Sequence, residues 1–352
     1  GASIEHTATV NWWGRKTEGT VGVQVRDDLI GELGLRHTSQ RALVNVISDD
    51  DVQEASAGVF AKATTHWSDW VRTEAGLRGD AYDFKVDSDN PLNSGHRTAA
   101  IASPKLGLVL GPWDKTEFYF NAGLGFHSND ARGTTIRVSP TDGSPVERDS
   151  PLVRSRGLEA GVRTSAWPGL VSTVSVWLLD LDSELVFSGD AGDTEASGAT
   201  RRYGVEFANF YKANSWLTLD TDVSFTHARY RDGAPADHVA NSIGTVVTAG
   251  VVAGRSEGFF GSVRLRYFGS QPIIEDDSVT EPPSTTVNAR FGWKNRNWEF
   301  ALSLLNALDR KNDDIAYYYT SRLPGEPAAG VDDIHLHPAE PREVRVNVSR
   351  RF

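Results

Sequence analysis

Apolar and polar residues alternate one by one through nearly the whole chain, in segments of about ten residues. Ile4, His6, Ala8, Val10 and Trp12 share one side of a segment, and Glu5, Thr7, Thr9 and Asn11 share the other. Val71, Thr73, Ala75 and Leu77 oppose Arg72, Glu74, Arg78 and Asp80 in the same way. So do Phe118, Phe120, Ala122, Leu124 and Phe126 against Glu117, Tyr119, Asn121 and His127. Val263, Leu265 and Tyr267 oppose Ser262, Arg264 and Arg266, and Val287, Ala289, Phe291 and Trp293 oppose Asn288, Arg290 and Lys294. Side chains on a strand point alternately to its two faces, so each segment has one apolar face and one wet face. No helical period persists, and the chain is expected to be all-β.

Connection lengths sharpen this. Short connections fall at 15–19, 66–70, 111–115, 167–170, 212–215, 254–257 and 294–297. Longer ones fall near 40–53, 86–96, 128–150, 188–197, 231–238, 270–283 and 309–340. Segregation by parity predicts a transmembrane antiparallel β-barrel of roughly 14 to 16 strands over 1–352, with short periplasmic turns and long extracellular loops. Aromatics cluster at strand ends and short turns: Trp67, Trp70, Trp113, Trp167, Trp216, Trp293 and Trp298. Indole rings favour a membrane–water boundary, which casts these residues as interface aromatics.

Composition removes other classes. The formal net charge of −11 disfavours a nucleic-acid partner. Zero Cys excludes disulfides, thiolate metal sites and Cys nucleophiles. No run approaches a membrane helix, which needs about 20 apolar residues, but a membrane barrel needs no such run.

In the closing strand Val344, Val346, Val348 and Phe352 oppose Arg345, Asn347, Ser349 and Arg351, with Arg350 interrupting the apolar row. Bacterial outer-membrane barrels commonly end this way, and that similarity implies that the barrel-insertion machinery reads Phe352. Ser103-Pro104-Lys105-Leu106, the run Asn121–Gly133, Arg202-Tyr203-Gly204-Val205-Glu206 and Leu304-Leu305-Asn306-Ala307-Leu308-Asp309-Arg310 follow in order. Together with the terminal strand they resemble the C-terminal part of the barrel of TonB-dependent outer-membrane receptors. The resemblance implies uptake of a scarce nutrient such as a metal chelate of the siderophore kind. It implies contact with outer-membrane lipid and lipopolysaccharide, no resident cofactor, and TonB as a partner if a plug segment lies upstream. In the family a plug precedes a 22-stranded barrel. Here neither plug nor TonB segment is found, and about fifteen strands are expected.

Candidate ligand or vestibule residues sit in long connections. His127, Asp130 and Arg132 open one loop. Tyr318, Arg322, His335 and His337 lie in 309–340. His335 and His337 project the same way on an extended segment and, with Asp332 or Asp333, offer metal ligands. Ordinary histidines in a polar loop are the alternative, and their spacing does not separate the two. Arg72, Glu74, Arg78, Glu159, Arg163, Glu206, Asp220, Asp222, Arg264, Arg266, Arg290, Arg345 and Arg351 are expected to face an aqueous lumen. No nucleophile elbow, phosphate loop or HExxH motif is present, so an enzyme is not expected. A passive or engineered pore and a soluble all-β binding protein stand as alternative readings.

Overall fold

A computed structural model describes every residue except 189–192, 197, 232, 234 and 235. Parts of the expected connections 188–197 and 231–238 therefore lie outside the described residues. The first strands are β1 (Ala2–Trp12), β2 (Arg15–Ser39), β3 (Ala42–Ser68), β4 (Val71–Ser88), β5 (Gly95–Trp113) and β6 (Thr116–Ser128). A short helix α1 (Ala131–Thr135) is followed by β7 (Leu152–Thr164), β8 (Leu170–Leu181), β9 (Leu185–Ser188) and β10 (Asp193–Ala196). Then come β11 (Thr200–Lys212), β12 (Leu217–Tyr230), β13 (Thr245–Gly254), β14 (Gly258–Phe268), β15 (Gln271–Pro272) and β16 (Thr280–Glu281). The chain closes with β17 (Ser284–Lys294), β18 (Trp298–Leu305), β19 (Asp313–Ser321), β20 (Val331–Pro338) and β21 (Glu343–Arg350).

Fifteen strands form one sheet in chain order, from β1 to β8, then β11 to β14, β17, β18 and β21. That agrees with the expected count. Among the described residues the remaining six strands make three small hairpins, β9 with β10, β15 with β16 and β19 with β20. The last two sit in expected long connections, whereas β9 begins within the strand expected over 171–187. The chain divides into two compact units. One holds Gly1–Leu110, Phe120–Leu158 and Leu179–Thr200; the other holds Gly111–Tyr119, Glu159–Leu178 and Arg201–Phe352.

In the first unit the register carries the alternation across strands. Ile4 pairs with Val23, Val23 with Val59, Ala61 with Leu77 and Ala75 with Leu106. These residues share one face, and Val23, Val59, Leu77 and Leu106 on it are exposed. Gln24, Gly58 and Asp80 line up on the opposite, wet face. From Leu77 outward the apolar phase changes face although the β3–β4 register stays continuous from Thr65 back to Asp50. Tyr82, Phe84 and Val86 now occupy the wet parity, while Asp83 and Asp87 occupy the other. The apolar band on β3 thus runs over residues 57–65, about the nine residues that a tilted strand needs to cross a bilayer.

The connection expected near 40–53 is instead a continuous hairpin. β2 and β3 extend to a two-residue turn at Gln40 and Arg41, with φ of 49° and 66°. Two positive φ values are the signature of the tight hairpin turn that matches strand twist. The polar composition of 45–53 suggested a loop, but Arg36 bridges Glu32 at 2.6 Å and Asp49 at 3.7 Å along the ribbon.

In the second unit the strands are shorter. Phe259 pairs with Trp293, Trp293 with Phe300, and Phe300 with Val348. Val263, Phe291, Leu302, Val344 and Val346 share that exposed apolar side. Arg264, Arg290, Ser303 and Arg345 hold the wet side.

Candidate functional site

At the long-loop end of the first unit, the connection after β6 folds back onto β3 and β4. Asp130 caps α1, accepting from the Arg132 backbone N–H at 2.9 Å and from its guanidinium at 3.1 and 2.6 Å. Burial opposes the charge on Asp130, but the Arg132 guanidinium and backbone N–H outweigh it and hold the carboxyl below the usual carboxylate range. Ala131 packs into a small core with Val52, Phe84 and Val86, which Leu33, Tyr82 and Leu152 border. Phe84 is fully buried. Asn93 ties the next turn down. Its Oδ1 accepts from the N–H groups of Arg137 and Val138, and its Nδ2 donates to the Val138 carbonyl. His127 lies nearby in sequence, and its Nε2 is buried without a hydrogen-bond partner. Of the expected trio, Asp130 and Arg132 are engaged by each other and cap the loop segment.

In the second unit, β19 and β20 build a hairpin over the loop 309–340. Tyr317 pairs with His335, and Ile315 with His337, so the two histidines do share a face. Their ring nitrogens do not converge, however. His335 stacks on Tyr319 at 3.8 Å and bonds the Ser321 hydroxyl through Nε2 at 2.8 Å. His337 stands 3.8 Å from Asp314. Asp332 binds the Thr320 hydroxyl, and Asp333 contacts the Ile334 N–H. Among the described residues no three His, Asp or Glu side chains are placed to hold a metal ion. Tyr318 pairs with Ile334 on the hairpin's other face, and Arg322 donates to the Glu326 carbonyl at its tip. Asn306 anchors the base of this loop, binding Arg310 and the Glu340 carbonyl.

The wet faces carry ion pairs. Arg78 clamps the buried Asp80 at 2.6 Å, and Lys105 bridges Glu74 at 2.6 Å. Arg163 meets Glu117, Arg264 meets Asp220 at 3.3 Å, Arg290 meets Glu299 at 2.7 Å, and Arg345 meets Glu343. Asp222 accepts from Thr248 at 3.2 Å, and Arg266 lies over the Phe268 ring at 5.2 Å. Arg72 and Glu159 are likewise engaged, while Glu206 is exposed on β11. Arg351 lies past the end of β21, where its N–H donates to the Asn297 carbonyl at 2.8 Å.

The aromatics gather at the short-turn ends. Trp67 donates to the Thr73 hydroxyl at 2.8 Å, and Trp113 leans on Phe118 at 6.1 Å. Trp70, Trp167 and Trp216 are exposed at or beside turns. Trp293 and Trp298 both pack on Phe300, at 6.2 and 5.8 Å. Arg350 is explained here: its guanidinium lies 5.2 Å over Trp298 and 4.9 Å from the fully exposed Phe352. Sequence reasoning missed this role, along with Phe84 and Asn93. The signal for Phe84 is the phase change between Leu77 and Tyr82; nothing in the sequence singles out Asn93.

Comparison with known proteins agrees with this architecture. The family described as "TonB dependent receptor-like, beta-barrel" matches residues 2–307. No curated protein matches the sequence. Among solved structures, the ferric yersiniabactin uptake receptor FyuA from Yersinia pestis is similar with a TM-score of 0.73 at 12% identity, over 99% of this chain and 53% of that one. The ferric citrate transporter FecA in its unliganded form gives 0.72 at 13% identity, over 99% and 54%. The copper transporter OprC gives 0.70 at 14% identity, over 99% and 58%. The chain thus spans little more than half the length of these structures. With its apolar strand faces, its paired wet-face charges and its aromatic short-turn ends, the chain belongs to the TonB-dependent receptor β-barrel family and is an outer-membrane protein.

Proposed function

We propose that residues 1–352 form the barrel domain of an outer-membrane receptor for a scarce nutrient, a metal chelate of the siderophore kind. The observation that carries this reading is the two-faced sheet. Val59, Leu77, Phe291 and Val346 are exposed on the apolar side, whereas Asp80, Glu74, Asp220 and Arg290 pair on the other. The apolar side meets lipid and lipopolysaccharide, and the paired charges line an aqueous passage. Ferric yersiniabactin, ferric citrate and copper, in the names of the similar structures, support this substrate class. His127, Tyr318, Arg322, His335 and His337 then belong to loops at the outer vestibule. Transport is the activity, with TonB as a partner if a plug segment lies upstream, and none of these residues is assigned a catalytic role. Phe352, exposed at the last strand, serves barrel insertion.

Two measurements test this. The protein should partition into detergent and outer-membrane fractions; a chain that stays soluble and monomeric without detergent overturns the reading. Iron-limited cells lacking the gene should take up less labelled metal chelate than complemented cells, and equal uptake across a chelate panel removes the substrate class.

A further inference from the structure

Two long connections of the second unit are laced together. One joins β12 to β13, and the other carries the short hairpin β15–β16. The His238 N–H donates to the Glu275 carbonyl at 3.0 Å, and the Asn241 N–H donates to the Pro272 carbonyl at 2.7 Å. Val239 and Ile273, one from each connection, are buried. The His238 imidazole has a carboxylate near each ring nitrogen. Asp237 Oδ1 is 3.7 Å from Nδ1, and Asp277 Oδ2, from the other connection, is 3.6 Å from Nε2. Both distances are longer than a hydrogen bond, and Nδ1 is buried without a hydrogen-bond partner.

The charges around the ring are unevenly shared. Arg229 on β12 pairs with Asp237 at 3.1 Å, so that carboxylate already has a cation. Among the described residues His238 is the one ion-pair partner of Asp277. Glu275 and Asp276 are exposed beside Asp277, and the Ser278 N–H and hydroxyl hold the Asp276 carboxyl below the usual carboxylate range. On the β12 side, His227 is the second histidine acting on this cluster, and Arg231 is exposed and engaged. Histidine changes charge between about pH 5 and 8. A neutral ring has a single N–H to offer the two carboxylates, whereas an imidazolium has one for each. We propose that His238 is a proton-operated clasp, which draws the β15–β16 hairpin against the β12–β13 connection when it is charged. The clasped form gains the pair with Asp277, so it binds the proton more tightly than the parted form. The clasp tightens as pH falls through the histidine range and slackens as pH rises. The backbone bonds do not titrate, so the change is one of degree. It concerns the loops and stands whatever the barrel transports.

Hydrogen exchange of the intact protein in detergent tests this, read by mass spectrometry at about pH 5.5 and 7.5 and corrected for intrinsic rates. Protection of 271–281 should be about two- to fivefold higher at the lower pH, the size of a partly exposed ion pair. His238→Gln, which keeps a hydrogen-bonding side chain but takes no charge, should bring that ratio close to one. Asp277→Asn should do the same, and His227→Gln should leave the ratio unchanged. A ratio of one or below in the unaltered protein, an undiminished ratio in H238Q or D277N, or its loss in H227Q overturns the proposal. Should H238Q fail to fold, as judged by heat-modifiable gel mobility, D277N decides.

Discussion

In the first unit β2 and β3 run to 25 and 27 residues, whereas the main-sheet strands of the second, from β11 to β21, hold between 8 and 14. The short strands are about as long as a bilayer crossing requires. The long ones cross and continue, and beyond the crossing their apolar residues change face. Val52, Phe84 and Val86 then build a core with Ala131 in the first unit, on the side that carries charges lower down. In the second unit, by contrast, the long loop forms its own hairpin, β19–β20. The difference teaches that one alternating code serves two solvents. On the function proposed above, the apolar face looks to lipid within the bilayer; past it the same face turns acidic and the other becomes the inside of a small core.

Five substitutions probe that contrast. Phe84→Ala should cost the most, about 3–5 kcal/mol, because it empties a fully buried site. Hydrogen exchange should rise at 131–138 while β17 and β18 stay protected; uniform loosening would erase the distinction between the units. Leu302→Arg places a charge on the exposed apolar face and should cost about 2–4 kcal/mol in a refolding titration into lipid. Ser303→Asp, one residue along on the wet face between Arg290 and Arg345, should be nearly neutral, and equal penalties would mean that the faces are misassigned. Asn93→Ala removes three hydrogen bonds and leaves part-buried backbone groups of Arg137 and Val138 without that partner, for about 1–3 kcal/mol, with protease nicking expected within 136–150. Arg350→Ala removes the cation over Trp298 and should cost about 0.5–1 kcal/mol, visible as a small change in tryptophan emission.

Asp130 gives a pH dependence with a definite sign. Its folded carboxyl titrates below the ordinary range, so its contribution is fully present above that range and lost as pH falls through the lowered value. The α1 segment should keep its exchange protection at mildly acid pH and release it only at stronger acidity. Asp130→Asn should flatten that acid limb.

Much of this was legible in the residues. Period-two alternation and loop parity defined the strands, because a sheet with one apolar and one wet face leaves that mark on every strand. The Leu304–Arg310 run and the terminal strand pointed to the family. The β2–β3 ribbon was not legible: Asp49, Asp50 and Asp51 mimic a loop when only composition is read, and cross-strand pairing decides. The histidine pair was half legible. His335 and His337 share a face, as the spacing implied, but the Tyr319 ring and the Ser321 hydroxyl that engage His335 come from the partner strand and leave no local signature.

The outer ribbon carries one more consequence. β1 supports β2 only as far as Val25, and β4 supports β3 only as far as Asp50. All three register shifts between β2 and β3 lie beyond Val25, at Ile30/Leu33, Leu35/Arg36 and His37/Thr38. Two strands without a third are marginal in water, so little else hangs on their exact alignment. A peptide epitope spliced between Gln40 and Arg41 would ride at that tip in view of antibodies, and the barrel below would assemble as before.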